Sequence, residues 1–159
     1  MKTKEIKVQV IEYDNLNELS DENKDLLIQA REATQNAYAP YSGFFVGAAV
    51  LLENGKVVTG NNQENAAYPS GLCAERVALF YANANYPDVP VVAIAITAKN
   101  KLGKIHVIAS PCGSCRQVML ETESRFEKPI NVILDGEKIQ MMEGIDNLLP
   151  LGFRPHSLK

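Results

Sequence analysis

Tryptophan is absent from this chain of 159 residues, cysteine occurs three times, and there is no excess of positive charge: 16 Lys and Arg face 19 Asp and Glu, a formal charge of −3. Each shortage excludes something. Binding to phosphate backbones rests on clustered positive charge, so nucleic acid is not an expected partner. A polybasic anchor to a membrane surface fails for the same reason. No apolar run approaches the roughly 20 residues that cross a bilayer; the longest, Phe44–Leu52 and Val91–Ile96, are strand-sized. The start, Met1 to Asp14, alternates and is charged, unlike the basic-then-apolar pattern of a secretory signal, so a cytoplasmic protein is expected. Cys73, Cys112 and Cys115 are too few and odd in number for a disulfide framework, which leaves metal or thiol chemistry.

What is present is ordinary for a soluble domain, with 46% hydrophobic and 22% charged residues. A domain of this length buries roughly 68–70% of its unfolded surface and needs no staples. Ile6, Val8 and Val10 alternate with Lys7 and Gln9, which predicts a half-buried strand over Lys4–Ile11. Residues 1–19 then form an extension of strand and linker, and 20–159 a single domain. Ser20 is a good N-cap with Asp21 and Glu22 in the first turn, so a helix should start there and stop before Pro40.

Phe44–Leu52 reads as a strand buried on both faces, returning through a type I′ turn at Asn54-Gly55 into Lys56–Gly60. A helix over about Cys73–Asn83 and a strand over Val91–Thr97 follow. A further strand is expected over Ile105–Ala109, then a helix capped by Ser110 with Pro111 at its first position. Ile130–Leu134, a turn at Asp135-Gly136, Lys138–Met141 and a short helix over Glu143–Leu149 complete the pattern. Strands alternating with helices imply an α/β fold with a mixed sheet, a hairpin first and parallel crossovers after it. A ligand site belongs at the strand ends where helices begin.

The chemistry concentrates in Cys73-Ala74-Glu75 and Pro111-Cys112-Gly113-Ser114-Cys115. A redox dithiol at Cys112 and Cys115 is one reading, but a thioredoxin-type pair follows an early strand and this one opens a late helix. A closed structural zinc site wants four protein ligands. Neither His106, in a predicted strand, nor His156, in the tail, is well placed to be the fourth. Three thiolates with an open position fit a catalytic zinc, one per chain.

Cys112 and Cys115 share one face of a first helical turn. Cys73 and Glu75 would diverge by about 200° in mid-helix and converge only at a helix start. Two helix N-termini around one ion would offset its thiolates, helped by Arg76 and Arg116. Glu75, beside such an ion and not a ligand of it, suits general acid/base work, and this set is that of the zinc-dependent nucleobase deaminases.

With Tyr41-Ser42-Gly43-Phe44-Phe45-Val46-Gly47-Ala48-Ala49, Asn62-Gln63-Glu64-Asn65-Ala66, Cys73-Ala74-Glu75-Arg76 and Pro111-Cys112-Gly113-Ser114-Cys115-Arg116-Gln117, the chain resembles the small, three-cysteine, homotetrameric cytidine deaminases from about Ala37 to Phe153. The resemblance implies a three-layer α/β/α fold around a five-stranded mixed sheet. It implies Cys73, Cys112 and Cys115 as zinc ligands and Glu75 as proton shuttle. Asn62 and Glu64 would grip the ribose hydroxyl, with Phe44 lining the pocket, the Ala66 backbone on the pyrimidine edge and Tyr68 near the sugar at a subunit boundary. Arg76 would hydrogen-bond a ligand sulfur, and Phe153 would stack over a neighbour's bound base. The implied reaction converts cytidine and deoxycytidine to uridine and deoxyuridine, a step of pyrimidine salvage.

Rival readings are a deaminase of a modified aminonucleoside of the blasticidin type, an enzyme editing RNA or DNA, and a structural zinc domain. Asn62-x-Glu64 favours an ordinary ribose over the first. The acidic charge counts against the second, and the third leaves Glu75 unexplained. The strand at Lys4–Ile11 is extra to the family and would add to a sheet edge or wrap a neighbouring subunit.

Overall fold

The structure is a computed structural model that describes residues 1–103 and 108–158. Its elements run β1 (Ile11–Tyr13), α1 (Asp21–Ala33), β2 (Phe45–Leu52), β3 (Val57–Asn61), α2 (Ala74–Asn85), β4 (Val91–Lys99), α3 (Gly113–Phe126), β5 (Asn131–Leu134) and β6 (Ile139–Glu143). The described strands form one mixed sheet in the order β1-β6-β5-β4-β2-β3. It has six strands where five were expected. The sixth is β1, from the N-terminal extension, which pairs antiparallel with the free edge of β6 through Ile11↔Met141 and Tyr13↔Ile139. The strand itself is shorter than the alternation predicted: residues 4–10 lie outside regular structure, and pairing with β6 begins only at Ile11.

β3 and β4 each run antiparallel to β2, so they point the same way, and β4 and β5 are parallel neighbours. Both crossovers, through α2 and through α3, therefore bring a helix N-terminus to the same end of the sheet. Helix α1 covers one face: Leu26, Leu27 and Ala30 pack on Ala49, Ala93, Ala95 and Ile133. Helices α2 and α3 cover the other, with Ala78, Leu79, Met119 and Leu120 on Ala48, Val50, Ile94 and Ile96. The result is three layers with an apolar interior on each side of the sheet. Burial of a single Leu or Ile side chain stabilises by about 1.5–3 kcal/mol, and among the described residues twelve large side chains lie fully inside.

Local signals set the element ends. Ser20 caps α1, its hydroxyl accepting from the Asn23 N–H at 3.3 Å. The β2–β3 connection closes through Gly55 N–H to Leu52 O and Leu52 N–H to Lys56 O, both 2.9 Å. Only Gly55 takes a positive φ, 80°, so this is a three-residue loop and not the type I′ turn expected at Asn54-Gly55. The cap of α3 is Cys112, with extended backbone, and Ser110 and Pro111 precede the helix. The segment expected as a helix over Glu143–Leu149 is a 3₁₀ turn, Ile145–Asn147, entered through Gly144 at φ 79°. Of the strand expected over Ile105–Ala109, residues 105–107 and His106 with them lie outside the described residues, and Ile108 and Ala109 are not in a strand.

Candidate active site

Helices α2 and α3 both begin with a cysteine in the N-cap position. Cys73 (φ −72°, ψ 151°) and Cys112 (φ −66°, ψ 166°) are extended where the helix has not yet started. That backbone turn lets Cys73 and Glu75 face one point, which a regular helix would forbid. Cys115, one turn into α3, completes the group. The Cys112 and Cys115 sulfurs are 3.4 Å apart and those of Cys73 and Cys112 3.9 Å, with all three within 4.8 Å of one another. For sulfurs about 2.3 Å from a tetrahedral ion, geometry sets the spacing near 3.8 Å, and the cluster brackets that value. Among the described residues it comprises three cysteines and no fourth ligand.

Within the cluster, the surroundings favour a thiolate at Cys73. Cys73 is drawn down to about 5, first by the hydrogen bond from Cys115 and then, against burial, by Arg76. Cys115 is held far above its ordinary value because it donates to Cys73 and is buried. Arg76 Nη2 lies 3.7 Å from Cys73 Sγ, while its buried Nε has no partner. Arg116, expected to share in offsetting the charge, is instead committed to backbone. It donates to Pro111 O at 2.8 Å and Leu148 O at 2.7 Å, tying the entry of α3 to the C-terminal segment.

Glu75 is 4% exposed. Burial pushes its carboxyl up, partly opposed by its own backbone N–H, and the neighbouring Cys73 adds to the rise. A carboxyl so placed holds its proton more tightly than one in water.

Above these groups opens a cavity of about 990 Å³, walled by Phe44, Val46, Asn62, Glu64, Tyr68 and Ile96 among others and reaching Cys73, Glu75, Arg76 and Cys112. Asn62 is fixed by β2: its Oδ1 accepts the Val46 N–H at 2.8 Å and its Nδ2 donates to Phe44 O at 2.9 Å. Glu64 accepts the N–H groups of Tyr41 at 2.8 Å and Ser42 at 3.3 Å. The Ser42 hydroxyl, followed by these backbone groups, keeps its carboxylate below the ordinary range. Tyr68 is 78% exposed and meets Tyr41 edge to face with ring centroids 6.1 Å apart.

Three of the expected residues stand outside the cavity wall: Cys115, fully buried in α3, Ala66 in the exposed loop beyond Asn65, and Phe153, 58% exposed in the C-terminal segment. Tyr41, Ser42, Gln63 and Ser110 line it and were not singled out in the sequence. Their one signal was adjacency to the motifs, since Tyr41-Ser42 opens one of them and Gln63 stands inside another. His156 falls in a terminal 3₁₀ turn, Pro155–Leu158, and has no place in the cluster.

Residues 20–128 match the family model described as the cytidine and deoxycytidylate deaminase zinc-binding region. The cytidine deaminase of Halalkalibacterium halodurans is 48% identical over 96 residues, 60% of this chain and 68% of that one. The cytidine deaminase of Mycobacterium tuberculosis is 37% identical over 122 residues, 75% of this chain and 87% of that one. The crystal structure of cytidine deaminase from Burkholderia pseudomallei superposes with a TM-score of 0.70 at 39% identity, covering 81% of this chain and 97% of that one.

Proposed function

Since the chain belongs to the cytidine and deoxycytidylate deaminase family, we propose that it hydrolyses cytidine and deoxycytidine to uridine and deoxyuridine, releasing ammonia. The observation that carries this reading is the meeting of three sulfurs and a buried carboxyl beside a cavity that Cys73, Cys112 and Glu75 line. Cys73, Cys112 and Cys115 would hold one zinc per chain, which when bound lowers the pKa of water to about 7 and so supplies a nucleophile at neutral pH.

The remaining work belongs to side chains. Glu75 takes the proton that the water gives up and delivers it to N3 of the pyrimidine; it then takes the proton of the new C4 hydroxyl and gives it to the amine, which leaves as ammonia while the C4 carbonyl forms. Its raised affinity for protons suits that shuttle. Arg76, beside Cys73, offsets thiolate charge. Glu64 and Asn62 bind the sugar, the first through a carboxylate already oriented by the Tyr41 and Ser42 N–H groups. Asn62 supports the same corner by holding Phe44 and Val46 in place. Phe44 and Tyr68 wall the ribose, and the Ala66 backbone meets the pyrimidine edge.

We read 20–159 as the catalytic domain of a cytoplasmic salvage enzyme and 1–19 as its extension. Among the described residues no helix is long and apolar enough to cross a membrane. The assembly we assign is a homotetramer, in which the exposed Phe153 ring is free to stack over a neighbouring subunit's base.

The test is ammonia release from cytidine by the purified protein, with zinc measured on the same sample. Turnover with about one zinc per chain is expected. Zinc without turnover on cytidine would move the substrate to a modified aminonucleoside. Folded protein with neither would overturn the three-thiolate site.

A further inference from the structure

The N-terminal extension lies outside the matched family region, which begins at residue 20. Nothing in the catalytic reading uses it. It nevertheless carries the chain's most regular exposed apolar row, Ile6, Val8 and Val10 at 47%, 51% and 44% exposure, leading directly into the edge strand β1.

The backbone of this segment has one occupied side. The Gln9 N–H donates to Asn147 Oδ1 at 2.7 Å, on the flank where Ile11–Tyr13 pair with β6. In an extended chain successive residues turn their N–H and C=O to opposite sides. Continued along the course of β1, the even-numbered residues would direct theirs to the open edge, where among the described strands none pairs with β1 except β6.

Their side chains form an ordered series: Lys2 and Lys4, then Ile6, Val8 and Val10, then Glu12 and Asp14. The basic end, apolar centre and acidic end make this series complementary to itself when reversed. Antiparallel pairing about Val8 opposes Lys2 with Asp14, Lys4 with Glu12 and Ile6 with Val10. Parallel pairing would instead oppose like charges, which is unfavourable. Glu12 and Asp14 share one intrachain cation, Lys138, at 2.9 and 3.3 Å, so two carboxylates face a single ammonium and attraction for a second cation persists.

We infer that the open edge of the N-terminal segment is a docking site for a second copy of this chain, paired antiparallel about a two-fold axis at Val8 and joining the two sheets edge to edge. The contact is self-complementary, as a two-fold interface requires. It uses the backbone groups that an unpaired edge strand otherwise leaves available.

The register makes a sharp test with the full-length, zinc-loaded protein. Two residues at the axis have Cα atoms about 5.5 Å apart in a hydrogen-bonded pair, inside the roughly 4.4–6.8 Å span of a disulfide. The same residue two places away lies about 14 Å from its counterpart. Under mild oxidation with the wild type as control, Val8→Cys should run as a covalent dimer on a non-reducing gel and Ile6→Cys as a monomer.

Failure of Val8→Cys to cross-link, or equal cross-linking by both, overturns the proposal. In sedimentation, Val8→Asp should lower the assembly mass twofold at unchanged turnover per chain. Lys4→Glu should weaken association and Lys4→Glu with Glu12→Lys should restore it. Unchanged mass in Val8→Asp would equally overturn the inference.

Discussion

At the scale of single residues, Glu75 separates chemistry from structure. Its carboxyl is buried beside the sulfurs, and Glu75→Gln keeps the volume and the hydrogen-bonding capacity while removing the exchangeable proton. Turnover should fall by at least about 10²–10⁴-fold, the usual contribution of a positioned acid/base group. Zinc content and melting temperature should stay at the wild-type level. Near-normal turnover would remove Glu75 from the role of proton shuttle. Glu64 differs because its carboxylate lines the cavity, oriented by two backbone N–H groups. Glu64→Gln should raise KM for cytidine more than it lowers kcat, and KM for a base lacking the sugar should stay unchanged.

At the scale of elements, the site exists because two helix starts are pressed against one end of the sheet. Gly60 on β3 permits this for α2: a Cβ there would stand 2.6 Å from Ala74 O and 2.7 Å from Ala78 N, too close for either to remain. Gly60→Ala should displace the first turn of α2, which carries Cys73 and Glu75. Zinc affinity should drop by about 10–100-fold, the range seen when the support of a metal ligand is altered; a chelator competition titration reads this directly.

The Cys112–Cys115 pair, Cys73 with Glu75 and the Ser20 cap were legible in the sequence because each rests on spacing within one turn or at a helix start; that Cys73 joins Cys112 across 39 positions followed from the chemistry of three thiols and the family motifs. Asp135 was not. It is fully buried, held by Arg31 at 2.8 Å through both oxygens and by the Thr97 hydroxyl at 2.7 Å. Its partners come from α1 and β4, and no local pattern announces a contact across 104 positions. Similarly, the Ser110-Pro111 signal for a helix start was outweighed by Cys112, whose extended backbone takes the cap position in α3. Asp135→Asn would leave Arg31 facing an amide. Breaking a buried pair costs about 3–5 kcal/mol, with the lower end apt because Arg31 keeps a side-chain exposure of 38%. A melting temperature lower by about 10 °C is expected in calorimetry, on the usual conversion for a chain of this size.

For the whole molecule, the same three sulfurs that define the chemistry also connect α2 to α3. Those helices follow different crossovers; they pack on the same face of the sheet, are joined by Asn83 Nδ2 donating to Thr122 Oγ1 at 3.2 Å, and meet again through the cluster at their N-termini. The sheet and its two apolar layers do not depend on that connection, since twelve large side chains are fully buried regardless of any ion. Chelation should therefore leave a folded protein that melts earlier, unlike a small zinc domain, which unfolds outright. A ligand present at 100 times its dissociation constant stabilises by about 2.7 kcal/mol, so the difference should be several degrees or more, growing with free zinc. Far-ultraviolet circular dichroism at 25 °C should be unchanged by chelation, and activity should be lost and recovered with the metal. Unfolding on chelation would mean that the layered core cannot hold the two helices without the ion. An unchanged melting temperature on adding zinc would mean that the three sulfurs do not bind it in the folded state.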